Sequence, residues 1–126
     1  MIFGIGTDIV AVKRMDDMHA RHGGRLARRL LAPEEWGDYA RATGKGRLLA
    51  KRFAAKEALG KALGTGIRSP VTLTAIGVIH DELGRPDFSF TPELADWLKA
   101  HGAGSVHLSL SDEQDTVVAF VIVERP

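Results

Sequence analysis

Between Arg52 and Gly66 the chain runs Arg52-Phe53-Ala54-Ala55-Lys56-Glu57-Ala58-Leu59-Gly60-Lys61-Ala62-Leu63-Gly64-Thr65-Gly66, a block of strong helix formers closed by a glycine cluster. Phe53, Glu57 and Lys61 recur every fourth residue and so lie on one stripe of that helix, which Leu49 extends toward the N-terminus. A carboxylate and an ammonium on an apolar stripe are costly to desolvate unless something pairs with them. The partners are either each other or a metal ion and a phosphate, and the spacing leaves both open.

The surrounding sequence points to an α+β fold: an antiparallel sheet packed against one long helix, with shorter helices beside it. Ile2 to Val12 reads as a strand that carries Phe3, Ile5, Thr7, Ile9 and Ala11 on one face. Ile2, Gly4, Gly6, Asp8, Val10 and Val12 fall on the other. Asp16 to Leu31 is an amphipathic, basic helical stretch broken at Gly23-Gly24, and Pro33-Glu34-Glu35 suits a first helical turn. The long helix is expected over about residues 47–63, stopped by Gly64-Thr65-Gly66. Leu73 to Ile79 and Phe88 to Phe90 read as strands around a turn at Leu83-Gly84-Arg85-Pro86, and Thr91-Pro92-Glu93 opens a helix that closes at Gly102. Val106, Leu108 and Leu110 alternate with His107, Ser109 and Ser111, the pattern of a strand with one polar face. Val117 to Val123 is almost continuously apolar and fits the centre of the sheet.

At 126 residues the expectation is one domain over 1–126. The chain has no cysteine, which removes disulfides and thiolate chemistry. Its apolar runs fall short of the roughly 18 residues that span a bilayer, and its N-terminus lacks the features of a signal peptide. A cytoplasmic protein, with no membrane role, is expected. The net charge of +1 hides an asymmetry: residues 13–52 hold eleven Lys/Arg against five Asp/Glu, and residues 80–126 hold three against nine. A basic segment of this kind suits an acidic partner, nucleic acid, self-association or plain solvation.

Asp8 shares its strand face with Gly4 and Gly6, and glycines inside a strand mark close approach by a backbone or a ligand. Asp8 and Glu57 are therefore candidate oxygen ligands for Mg²⁺, which takes one or two protein carboxylates and completes its shell with water and phosphate. Lys61 suits a phosphate as a point charge, or simply an i,i+4 pair with Glu57. His107 and Ser109 stand roughly 7 Å apart along one strand face, a poor nucleophile geometry. Gly64-Thr65-Gly66 follows its helix, whereas a phosphate-binding loop precedes one. The residues alone thus suggest phosphate or pyrophosphate chemistry.

At Gly4-Ile5-Gly6-Thr7-Asp8-Ile9-Val10 and Phe53-Ala54-Ala55-Lys56-Glu57-Ala58-Leu59-Gly60-Lys61-Ala62 the chain closely resembles the holo-[acyl-carrier-protein] synthases, the small single-domain branch of the 4′-phosphopantetheinyl transferases. Lys13-Arg14, Gly64-Thr65-Gly66, Gly84-Arg85-Pro86 and Val106 to Asp112 extend the likeness, in family order, from Met1 to about Glu124. The resemblance implies Mg²⁺-dependent transfer of the phosphopantetheine arm of coenzyme A to a serine of acyl carrier protein, in support of fatty acid biosynthesis. It makes Asp8 and Glu57 the metal ligands and has Lys61 contact the coenzyme A phosphates. Arg52, Phe53, Gly64, Thr65, Gly66, Arg85, Pro86, His107 and Ser109 match the coenzyme pocket. Lys13, Arg14, Arg21, Arg25 and Arg28 match the surface that receives the acidic carrier protein. A homotrimer with sites at subunit interfaces is implied as well.

Two positions limit the transfer. Family members often carry histidine where this chain has Asp112, so no role is carried over there, and none is carried from the segment 41–47. The competing class is a nucleic-acid-binding module built on residues 13–52. An aromatic content of 6% leaves few stacking platforms for single strands, and the near-neutral overall charge disfavours it further, so no nucleic acid is expected as partner.

Overall fold

The computed structural model describes residues 1–126. Strand β1 (Ile2–Ala11) leads into helices α1 (Val12–His22) and α2 (Gly24–Leu30), a 3-10 turn (Pro33–Glu35) and α3 (Trp36–Arg41). The long helix α4 (Lys45–Leu63) follows, then a 3-10 turn (Leu73–Ala75), β2 (Ile76–His80), β3 (Pro86–Phe90), α5 (Pro92–Ala100), β4 (Val106–Asp112) and β5 (Thr116–Glu124).

The α+β expectation holds, with one correction: the strands form two sheets rather than one. A three-stranded antiparallel sheet has the order β1-β5-β4, with the apolar β5 at its centre, and β2-β3 is a separate hairpin. The strand expected from Leu73 begins only at Ile76, because Leu73–Ala75 takes a 3-10 turn. The Leu73 carbonyl accepts a hydrogen bond from Lys56 Nζ at 2.9 Å instead of joining a ladder. The break at Gly23 is real, with φ of 53° between α1 and α2. Gly64 ends α4 in the left-handed region at φ 79°.

Helix α4 is buried on nearly every side, with Leu49, Ala50, Ala54, Ala55, Ala58 and Leu59 each at 0% exposure. Its alanines let β1 come down onto it. A Cβ built on Gly4 would lie 1.8 Å from the Ala62 carbonyl oxygen, and one on Gly6 would lie 2.0 Å from that of Ala58. The glycines on the Asp8 face of β1 thus bring two backbones into contact, and they set Asp8 beside α4. The opposite face of β1 is open: Ile5 is 60% exposed and Ile9 66%, and Phe120 of β5, opposite Thr7, is 43% exposed.

Under α4 lies a charged network within the core. Lys56 is fully buried and its Nζ donates to Glu35 Oε1 at 2.5 Å, the Leu30 carbonyl at 2.6 Å and the Leu73 carbonyl at 2.9 Å. Glu35, also at 0% exposure, accepts from the backbone N–H of Ala32 and of Val78. Burial lowers the Lys56 pKa, an effect that the Glu35 carboxylate opposes. The buried ammonium of this helix is therefore Lys56, one residue away from the stripe on which desolvation of Lys61 was expected. No helix is long and apolar enough to cross a membrane.

Candidate active site

Asp8 lies where the glycines of β1 seat it on α4, near enough to Glu57 for its charge to act there, and Lys61 pairs with Asp8. The Lys61 side chain is 53% exposed, which corrects the expectation of a desolvated ammonium on the stripe. Its Nζ donates to the Thr7 carbonyl at 2.9 Å and to Asp8 Oδ1 at 3.1 Å, so its partner is the strand and not Glu57 one turn earlier. Glu57 has its pKa raised, first by burial and then by the negative charge of Asp8, while Lys61 and Arg14 pull it down. Glu57 therefore feels Asp8 as a like charge, and the two cations present leave it shifted upward.

This donor set fits a hard divalent cation. Its two carboxylates are oxygen donors, the type such a cation takes, with water and phosphate to complete the shell.

The other expected ligand-binding residues fall into separate groups. Arg85, Pro86 and His107 line one cleft of about 350 Å³, where His107 Nε2 also lies 3.1 Å from Glu124 Oε1. Ser109 stands on the exposed face of β4 in register with Phe120 of β5, not among the cleft's lining residues. Gly64, Thr65 and Gly66 cap α4, and Gly66 lies so close to Gly60 that a Cβ there would meet its carbonyl carbon at 2.9 Å. Phe53 is half-buried against the core. Arg52 is 5% exposed, with Nη2 donating to Asp38 Oδ2 at 3.0 Å and Nε 3.5 Å from Glu35 Oε2, too far for a hydrogen bond. It nevertheless lines a cleft of about 650 Å³ with Asp38, Arg41 and His80.

Lys13, Arg14, Arg21, Arg25 and Arg28 are exposed on α1 and α2, where Lys13 pairs only with Asp17, at 3.0 Å. Arg14 acts electrostatically on Glu57, so the basic surface begins at the carboxylate pair. Sequence reasoning missed Glu35, Lys56 and His80. Glu35 and Lys56 are 21 residues apart, and neither shows by local pattern that it is buried.

The family model described as the 4′-phosphopantetheinyl transferase superfamily matches residues 4–121. A holo-[acyl-carrier-protein] synthase of Laribacter hongkongensis is 55% identical over 98% of this chain and 99% of its own. The crystal structure of holo-[acyl-carrier-protein] synthase from Neisseria meningitidis superposes with a TM-score of 0.96 at 50% identity, over 99% of this chain and 100% of the other. That of the Bacillus anthracis synthase in complex with CoA (3′,5′-ADP) does so with a TM-score of 0.82 at 32% identity, over 100% and 99%. The chain belongs to the holo-[acyl-carrier-protein] synthase family.

Proposed function

We propose that this chain, as one transferase domain over residues 1–126, moves the 4′-phosphopantetheine arm of coenzyme A onto a serine hydroxyl of acyl carrier protein. The apo-carrier protein becomes holo, adenosine 3′,5′-bisphosphate leaves, and the product serves fatty acid biosynthesis in the cytoplasm, where coenzyme A is used. The observation that carries this reading is the Lys61–Asp8 pair where β1 lies on α4, with the Glu57 carboxylate within reach of the charges of both. The coenzyme-bound relative from Bacillus anthracis supports the choice of substrate.

In the reaction the seryl oxygen attacks the phosphorus that bears the pantetheine arm. A new P–O bond forms as the bond to the bridging pyrophosphate oxygen breaks, the electron pair departs with adenosine 3′,5′-bisphosphate, and the seryl proton passes to water or to a site carboxylate. Such transfers depend on positioning and charge neutralisation more than on covalent help. Asp8 and Glu57 would hold Mg²⁺, which when bound polarises the phosphoryl oxygens and clamps the pyrophosphate. Lys61, anchored on the Thr7 carbonyl and Asp8, keeps an ammonium at the edge of the site to offset charge on the leaving group. The glycine contacts hold β1 against α4, so the two carboxylates are set before substrate arrives.

The carrier protein docks on Lys13, Arg14, Arg21, Arg25 and Arg28, a cationic surface that steers an acidic partner toward Glu57. We further propose a homotrimer with sites at subunit interfaces. Its support is the open apolar face of the three-stranded sheet, where Ile5, Ile9 and Phe120 lie beside the exposed Ser109. Asp8 and Glu57 lie on the far side of β1, so a neighbouring copy gives a way to bring the two groups of residues to one ligand. Sedimentation is expected to give about three times the 13.6 kDa chain mass, and a monomer at working concentration would remove the interface reading.

Incubation of apo-carrier protein with this chain, coenzyme A and Mg²⁺, followed by mass spectrometry, tests the reaction itself. A gain of one phosphopantetheine arm is expected, and an unmodified carrier protein would refute the transferase reading.

A further inference from the structure

The two helices that carry Arg21, Arg25 and Arg28 are held to the rest of the molecule unevenly. The first half of α1 is fixed by packing: Val12 and Met15 are buried, and Gly46 of α4 makes room for Asp16, since a Cβ on that glycine would lie 3.0 Å from the Asp16 Cα. From Asp16 to Arg25 no residue is buried, and Gly23 interrupts the helix with φ of 53°. Met18 and His19 are the half-buried side chains of that stretch, and close packing resumes only at Leu26. Of all the side chains on α1 and α2, His19 alone hydrogen-bonds to another element. Its Nε2 lies 2.7 Å from the Tyr39 hydroxyl of α3, with the two rings edge to face at 5.8 Å between centroids. A phenol both donates and accepts, so this bond forms with either tautomer of the imidazole.

Tyr39 is itself braced. Trp36 meets its ring edge-on at 5.5 Å between centroids, and the Lys45 ammonium sits 4.9 Å from the ring centroid. The same ammonium donates to the carbonyls of Tyr39 at 2.7 Å and Ala42 at 2.9 Å, which closes the end of α3 onto the first residue of α4. An unbroken run of contacts therefore leads from His19 through Tyr39 and Lys45 to the helix that carries Glu57. We infer that Tyr39 is a positioning residue for carrier-protein docking: its hydroxyl holds His19, and with it the second half of α1, in the orientation that presents Arg21 and Arg25. The inference rests on the reading of α1 and α2 as the carrier-protein surface. Without the hydroxyl the arginines keep their charge and still attract an acidic partner, but the stretch 16–25 is ordered only when that partner arrives, and affinity falls by the cost of ordering it. Asp8 and Glu57 keep their places, so the chemical step is unaffected.

Calorimetric titration with apo-carrier protein, alongside steady-state transfer, tests this. Tyr39→Phe keeps the ring against Trp36 and Lys45 and removes only the oxygen. It is expected to weaken carrier-protein binding, and to raise the KM for carrier protein, by about three- to tenfold, the scale of one hydrogen bond. Both kcat and the KM for coenzyme A are expected to stay within about twofold of wild type. His19→Ala is expected to weaken binding at least as much, and adding Tyr39→Phe to it to cost nothing further. His19→Gln, whose amide can still meet the hydroxyl, is expected to bind nearly as the wild type does. Unchanged carrier-protein affinity in Tyr39→Phe would overturn the tether while leaving the transferase reading in place. So would additive losses in the double variant, which would mean that the phenol touches the carrier protein directly, or a parallel fall in kcat and coenzyme affinity. A wild-type protein that binds apo-carrier protein but transfers nothing would overturn the transferase reading alone, and one that binds none would overturn both.

Discussion

Replacing Asp8 or Glu57 by alanine is expected to lower kcat/KM for carrier-protein modification by about a thousandfold or more, because charge stabilisation at a transferring phosphoryl group is worth several kcal/mol. The fold is expected to survive both changes. Asp8 is paired with a lysine whose side chain is 53% exposed, and pairs of that kind contribute about 0–1 kcal/mol. Glu57 carries the burden of burial and of the Asp8 charge in the folded protein, so its removal relieves a strain instead of opening a cavity in the core. Thermal melts near those of the wild type, together with lost transfer, are the expected pair of results. Transfer within about tenfold of wild type in either variant would remove that residue from the metal-binding role.

The largest stability effect is expected at Lys56. Lys56→Met strips the ammonium from a carboxylate at 0% exposure and leaves the Leu30 and Leu73 carbonyls without their donor. Breaking a buried pair from one side costs about 3–5 kcal/mol, which in a domain of this size corresponds to a fall in Tm of roughly 10 °C or more. Adding Glu35→Leu is expected to recover only part of the loss, because the Ala32 and Val78 N–H groups then lose their acceptor. An unchanged melting temperature in the single variant would show that the network contributes little to stability.

These two sites mark where the sequence was legible and where it was not. Gly4 and Gly6 on the Asp8 face implied a close approach, and the approach is by the α4 backbone. The unbroken apolar run of β5 agrees with its central place in the sheet, yet only Val117, Ala119, Val121 and Val123 are buried, while Phe120 on the other face is 43% exposed. Local pattern could not distinguish Lys56 from Lys61. Both sit among small apolar residues on α4, and which of them is desolvated depends on Glu35, which reaches α4 only once the segment Pro33–Glu35 folds against it. For the same reason the two carboxylates of Pro33-Glu34-Glu35 looked alike from the helix dipole, yet Glu35 is buried and Glu34 is exposed, bonded to the Ser89 hydroxyl. The division into two sheets was equally hidden, because which distant strands pair leaves no mark on the local pattern of either one.

The carrier-protein surface shows another limit. Charge counting placed an excess of cations between residues 13 and 52 without separating their roles. In the folded chain Arg47 and Lys51 close on Asp112, Arg52 is buried against Glu35 and Asp38, and Arg41 pairs with Asp38. Arg21, Arg25 and Arg28 remain exposed on α1 and α2.

The claim on which the rest depends is that one acidic residue of β1 and one of α4 share a divalent ion over the pyrophosphate. Anomalous diffraction from crystals grown with coenzyme A and Mn²⁺ addresses it directly. A single peak within about 2.0–2.4 Å of a carboxylate oxygen from both Asp8 and Glu57 is the result expected. A metal peak bound to neither residue, with coenzyme A in place, would contradict the account.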